Sequence, residues 1–455
     1  MKLAGGALLL LAAALSGCRD ARAPAITAIQ RCHYELALAL SGLVQVDVQC
    51  WAEGAVAFRA PAESARDVQG TAPAKGGLFR AEQGRLHYSL DLAKVSRRNA
   101  DIDGAAHIGS SFVAPMSTVL LVPEPLTTEI PVTVRVAPSE DVQVAVGLRR
   151  DSAPDTYRLM AHEIPVATYF AFGKLQQRTL DVGSSKLELS QLDGALDQPL
   201  SDVSNWIATS AAAVRDFYGT FPVPRASVTL VPMPRRDSVV FGKVLPESEP
   251  GVLLLLGQHA PRQALYSDWI LVHELFHLGF PSFFSEGKWL DEGLATYYEP
   301  IIRVRAGLYT ETELWSELEE SLPQGLPAYT QLGLEQARDF RGVYWGGALA
   351  CLDADVRARK RKLDGGLEVG LRALRDAGGT ASEVWSLADA ITIIDEALGE
   401  PTLAPIAAQH ARSGSAFDLP RLLAELGVKR TANGRLELSD QAPLAAVRRA
   451  IIGRP

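Results

Sequence analysis

The sequence has no dense cluster of lysine or arginine, no low-complexity block and no internal repeat. Without a basic patch there is no electrostatic footprint for a nucleic-acid backbone. The balance runs the other way, with 45 basic against 53 acidic residues and a net charge of −8. Cysteine is scarce, at four residues, and Cys351 lies in an apolar helical run without the surroundings of a catalytic thiol. The apolar run at the start, Leu3–Leu15, is too short for an ordinary transmembrane helix. What remains is the composition of a folded protein, 47% hydrophobic and 22% charged. At 455 residues the chain is too long for one ordinary core, so two or three domains are expected.

The first eighteen residues read as a targeting segment, with Lys2 ahead of the apolar run and Leu15-Ser16-Gly17-Cys18 at its end. That ending resembles a bacterial lipobox. The resemblance implies a lipid on Cys18, which would tether the protein to a membrane on the exported side of a bacterial envelope. An ordinary cleaved secretory signal is the alternative. Cys32 and Cys50 flank a strand-like pair turned at Ser41-Gly42; they are either a disulfide or two buried thiols.

From Cys32 to about Leu189 the chain reads as short strands, among them Tyr34–Leu40, Val44–Cys50, Leu86–Leu92, Val119–Val122, Ile130–Val136 and Val142–Leu148. An antiparallel β-domain is the natural arrangement. The pattern then changes to a helix over Asp202–Tyr218 and strands at Ser227–Val231, Ser238–Phe241 and Val252–Leu256. A helix capped by Ser267-Asp268 follows, and beyond Thr310 the chain is mostly helical. The fold class is therefore α+β.

The chemistry concentrates in Leu271–Pro300. His273-Glu274-Leu275-Phe276-His277 puts two imidazoles four residues apart on one helical face, where both reach one metal ion. Glu274 sits where its carboxylate can act as general base on a metal-activated water. A second helical run from Trp289 supplies a third ligand, Glu292, and three ligands leave a fourth position of one Zn2+ open for catalysis. Thr296 and Glu299 lie four and seven residues beyond Glu292 and could orient a bound imidazole. With eight histidines in the chain, a chance H-E-x-x-H is on the order of one in a hundred. His162-Glu163 begins a false copy, because Val166 stands where the second histidine would be.

H-E-x-x-H followed by W-L-D-E-G resembles the gluzincin metallopeptidases, and is most similar to aminopeptidase N and the glycyl aminopeptidase family. The resemblance covers roughly residues 200–455. It implies His273, His277 and Glu292 as zinc ligands and Glu274 as the base. Tyr344-Trp345-Gly346-Gly347-Ala348-Leu349 is similar to the family's Y-x-x-G-A run, which gives Tyr344 the hydrogen bond to the oxyanion. On this basis residues 1–18 are a signal peptide, 19–190 an N-terminal β-domain, 191–360 a thermolysin-like catalytic domain and 361–455 a C-terminal helical region.

The chain departs from the family in two places. Fourteen residues separate His277 from Glu292, a shorter spacer than in aminopeptidase N. The family's glycine-rich strand ends in a glutamate that grips a free amine, whereas Val240–Glu247 has one glycine and no acid in that place, leaving Glu247 or Glu249 as substitutes. The reading is a zinc metallopeptidase acting on a peptide or protein, with exo- or endo-specificity open. A zinc hydrolase of a non-peptide substrate and a silent peptide-binding lipoprotein are the alternatives.

Overall fold

The computed structural model describes residues 28–60, 67–70, 77–98, 102–126, 130–137, 139–166, 168–246, 249–283 and 286–453. Cys18, with the expected lipid anchor, and Glu247 lie outside the described residues.

The N-terminal part is built on the hairpin of Ile29–Leu38 and Leu43–Ala52, whose side chains alternate between core and solvent along a sheet covered on one face. Cys32 and Cys50 stand directly opposite each other in this hairpin and are joined by a disulfide. Seven strands form the sheet, in the order Arg149–Arg150, Thr156–Met160, Pro131–Val136, Ile29–Leu38, Leu43–Ala52, Arg85–Asp91, Val68–Gly70. Its neighbours are antiparallel except Ile29–Leu38 with Pro131–Val136, which run parallel. A four-stranded and a three-stranded sheet complete this β-rich region. The strand expected at Val119–Val122 is instead a helical turn, Met116–Val119, followed by a strand at Val122–Glu124. From Met116 through Leu121 every residue but Ser117 is buried, Thr118 included, so the run has no alternation of inside and outside to tell helix from strand.

A five-stranded sheet follows: β1 (Gln176–Val182), β2 (Ser185–Gln191), β3 (Arg225–Met233), β4 (Val239–Leu245) and β5 (Gly251–Gly257), in the order β1-β2-β3-β5-β4. β2, β3 and β5 are parallel, and β4 runs antiparallel to β5 at the open edge. The expected division at residue 190 falls at the end of the β1–β2 hairpin; by sheet membership that hairpin goes with the residues after it. One face of the sheet carries α1 (Leu200–Tyr218), with Val228, Leu230, Val252 and Leu254 in the shared core. The other face meets the β-rich region, where Leu253 and Leu255 lie with Val113, Tyr169 and Ala171.

Three further helices carry the chemistry. α2 (Ile270–His277) begins where the Asp268 carboxylate accepts a hydrogen bond from the Leu271 amide at 2.9 Å. α3 (Lys288–Arg305) packs against α4 (Gly346–Arg361) with backbone touching backbone. A Cβ on Gly293 would lie 2.3 Å from the Gly347 carbonyl carbon, and one on Gly347 would lie 1.9 Å from the Trp289 carbonyl oxygen. Only glycine permits this separation. Buried polar groups fix the crossing further along. Tyr297 donates to Asp355 at 2.8 Å, Tyr298 donates to Glu368, and Arg359 bridges Asp355 and Glu368. The C-terminal helices include Leu403–His410, which no local sequence pattern marked, and Leu419–Leu426. The Asp395 carboxylate caps the start of Leu403–His410 by accepting from the Leu403 and Ala404 amides at 2.8 and 2.9 Å.

Gly347→Ala is expected to destabilise the protein by about 1–3 kcal/mol, because the added methyl meets a backbone carbonyl that cannot rotate away. Denaturant unfolding measures this, and an unchanged midpoint would contradict the close crossing.

Candidate metal centre

The sequence places His273 and His277 one turn apart on α2, and the fold brings Glu292 of α3 against them. All three are at most 6% exposed. His273 Nε2 lies 3.3 Å from His277 Nε2 and 3.3 Å from Glu292 Oε2, and the third side of the triangle is 3.6 Å. Tetrahedral zinc with bonds of 2.0–2.1 Å requires ligand atoms about 3.3–3.4 Å apart. The donor set fits one zinc ion in both chemistry and spacing, and it is the metal-binding cluster found among the described residues.

Charge in this pocket is closely balanced. Burial alone would lower the His277 pKa, but the Asp291 and Glu292 carboxylates outweigh that and hold it well above its ordinary value. Burial would likewise raise Glu292, yet the hydrogen bonds of His273 and His277 keep it far below the usual carboxylate range. Lys288 approaches the other oxygen of Glu292 to 2.6 Å, leaving Oε2 as the atom that faces both imidazoles.

The group that orients an imidazole is one that the sequence did not single out. Asp291 Oδ1 lies 2.8 Å from His277 Nδ1, so the carboxylate accepts the Nδ1 proton and turns Nε2 toward the metal position. Its signal was adjacency to Glu292, which was read only as part of a motif. Glu299 and Thr296 occupy other positions. The Glu299 carboxylate accepts from Arg303 at 2.9 Å, and burial pushes its pKa up to about 8 despite that cation. The Thr296 hydroxyl is buried with no protein partner among the described residues.

Glu274 follows His273 on α2, and its Oε2 accepts a hydrogen bond from the Val244 amide of β4 at 2.7 Å. Gly242 makes this contact possible. A Cβ there would stand 2.7 Å from Glu274 Cγ and 2.5 Å from Ile270 Cγ2. Tyr344 comes from a π-helical turn (Arg341–Trp345) that feeds directly into α4. Its ring lies parallel to His273 with centroids 5.9 Å apart, and its hydroxyl is in the field of the Glu292 carboxylate. Burial and the Glu292 charge push the phenol pKa far up, so it is a neutral donor at ordinary pH.

All five expected site residues therefore meet in one place. Glu249 does not join them, since its carboxylate pairs with Arg225 at 3.3 Å. His162 and Glu163 lie in a 3-10 turn over Ala161–Val166, and Glu163 accepts from the Met160 amide instead.

No family model and no curated protein matches the sequence. Solved structures do match in fold. An aminopeptidase N family protein from Idiomarina loihiensis superposes with a TM-score of 0.66 at 14% identity, covering 90% of this chain and 82% of its own. An M1 zinc metallopeptidase from Deinococcus radiodurans gives 0.50 at 14% identity over 87% of this chain and 95% of its own. A variant of the Deinococcus enzyme bound to a Tyr-Ser-Ala substrate gives 0.50 at 14% identity, covering 87% and 96%. This chain has the α+β, gluzincin aminopeptidase-like fold of those proteins.

Replacing Asp291 by Ala is expected to weaken zinc binding about 10–100-fold, with Asp291→Asn intermediate, because the amide oxygen can still accept the Nδ1 proton. Chelator competition reads the affinity; equal values for the alanine variant and the parent would remove Asp291 from this role.

Proposed function

We propose that the chain is a zinc metallopeptidase that hydrolyses bonds within peptides without needing a free amino terminus. One observation carries the reading: the donors of His273, His277 and Glu292 form a zinc-sized triangle, with Glu274 next to His273 on α2 and the Tyr344 ring against His273. Zinc bound there supplies a Lewis acid that acidifies water and polarises a carbonyl oxygen.

The chain's own residues do the rest. Glu274 takes the proton of the attacking water and passes it to the departing amine. Its Oε2 is held by the Val244 amide, so the other carboxylate oxygen is the one available to water. Tyr344 donates its hydroxyl proton in a hydrogen bond to the oxyanion as the carbonyl carbon becomes tetrahedral. Asp291 keeps His277 in the tautomer that binds metal.

β4 is the edge of its sheet, and an extended peptide can add to it as a further strand through backbone hydrogen bonds. The specificity reading rests on what this strand carries. Its one charged side chain, Lys243, is directed away from Glu274, and its ammonium lies 3.3 Å from Asp103 and over the Tyr169 ring. On the face toward α2 the strand offers Gly242 and Val244, and neither can grip an ammonium. Recognition through the backbone alone favours cleavage inside a chain.

Glu274→Gln is expected to retain zinc and lose at least about 100-fold in turnover, and Tyr344→Phe to lose on the order of 100–1,000-fold with zinc content unchanged. Metal analysis with steady-state kinetics tests both, and a fully active glutamine variant would refute the assignment of the base. Peptide libraries with free and acetylated amino termini should be cut alike by the zinc-loaded protein. Strict dependence on the free amine would make it an aminopeptidase, and no cleavage of either would favour a non-peptide substrate.

A further inference from the structure

Large aromatic side chains in this protein are mostly buried, yet two beside the metal centre are not. Trp269 is 45% exposed and Phe340 is 53% exposed. Trp269 precedes His273 by one helical turn, and its ring meets that imidazole edge-on at 5.5 Å with an interplanar angle of 89°. Phe340 stacks on Tyr344 at 4.3 Å, and Tyr344 in turn lies parallel to His273. One ligand histidine thus has the indole packed edge-on against it and the phenylalanine–tyrosine stack lying parallel to it.

Both positions are unfavourable for folding alone. An exposed indole and an exposed phenyl ring leave apolar area in water that a polar residue would spare. Neither has a structural task that requires it. The start of α2 is capped by Asp268, and the π-helical turn that carries Tyr344 is fixed by the Asp339 carboxylate, which accepts from the Gly342 amide at 2.8 Å. The rings are also of a kind that suits ligands: flat, rigid and able to pack edge or face against another ring. The patch is continuous with the catalytic groups through His273 and Tyr344, so whatever covers it is adjacent to the bond being cut.

We infer that Trp269 and Phe340 form an aromatic subsite that takes a bulky apolar side chain of the substrate, next to the scissile bond. This rests on the peptidase reading and adds the substrate class to it. The occupant is an aromatic or large aliphatic residue of an extended peptide, positioned when the peptide backbone lies along β4. Trp269 and Phe340 determine specificity here and take no part in proton transfer.

The test compares peptides identical except for Phe, Leu, Ala or Glu at the two positions flanking the bond, using the zinc-loaded protein. The parent should favour Phe or Leu over Ala by on the order of ten-fold or more in kcat/KM at one of these positions, with Glu poorest. Trp269→Ala and Phe340→Ala should each lower kcat/KM for the Phe peptide several-fold more than for the Ala peptide, at unchanged zinc content. Trp269→Phe should restore most of the preference. A second arm uses the zinc-loaded Glu274→Gln protein and follows quenching of tryptophan fluorescence as peptide is added. Tighter binding of the Phe peptide than of its Ala counterpart, reduced by Trp269→Ala, supports the subsite even where no peptide is cut. Cleavage without apolar preference, or preference for Glu, would overturn the subsite and leave the peptidase reading standing. Binding with that preference but no cleavage would do the reverse.

Discussion

Everything at the metal centre depends on two helices meeting backbone to backbone at Gly293 and Gly347. Glu292 is the residue before the first glycine, and Tyr344 lies three residues before the second. Any side chain at the contact would separate α3 from α4 and carry Glu292 away from the Tyr344 phenol. The two glycines therefore set the distance between Glu292 on one helix and the Tyr344 phenol beside the other, the pair we propose as zinc ligand and oxyanion donor. Below the crossing Tyr297 pairs with Asp355 of α4, and Tyr298 pairs with Glu368 on the next helix, Leu367–Asp376. Buried polar networks of this kind add less to stability than to uniqueness of arrangement, which is what a site of fixed geometry needs.

The centre also combines local and distant order. α2 alone presents two imidazoles, because four residues make slightly more than one turn. The third ligand and its neighbour Asp291 arrive together on α3, so the helix that closes the triangle also fixes the tautomer of His277. Lys288, one turn earlier, covers the remaining oxygen of Glu292. The first turn of α3, Lys288–Glu292, thus supplies ligand, orienting group and counter-charge.

Much of this was legible in the sequence because helical spacing is a local rule. The ligands, the base and the tyrosine were marked by short motifs, and the mostly helical character beyond Thr310 by its apolar spacing. What was hidden depends on tertiary contact. Asp291 and Glu299 are both acids on α3, and only the packing decides that one meets His277 and the other Arg303. The turn at Met116–Val119 was hidden because nearly all of it is buried, Thr118 included, which leaves no alternation to read. The parallel pairing of Ile29–Leu38 with Pro131–Val136 joins segments a hundred residues apart, and no local pattern encodes it. Likewise Leu403–His410 has its cap supplied by Asp395 from the preceding helix, where a search of the flanking residues does not find it.

The hydrogen bond from the Val244 amide to Glu274 makes one strand serve two masters. β4 is at once the rail on which an extended substrate would lie and the mount that aims the base. Affinity and rate are then not separable quantities along this strand. A substitution chosen to loosen or tighten the rail also tilts the mount, so its effect should divide between KM and kcat rather than fall on KM alone. For a protein engineer this closes the obvious route to new specificity and leaves the aromatic walls, which touch a ligand and an oxyanion donor but not the base.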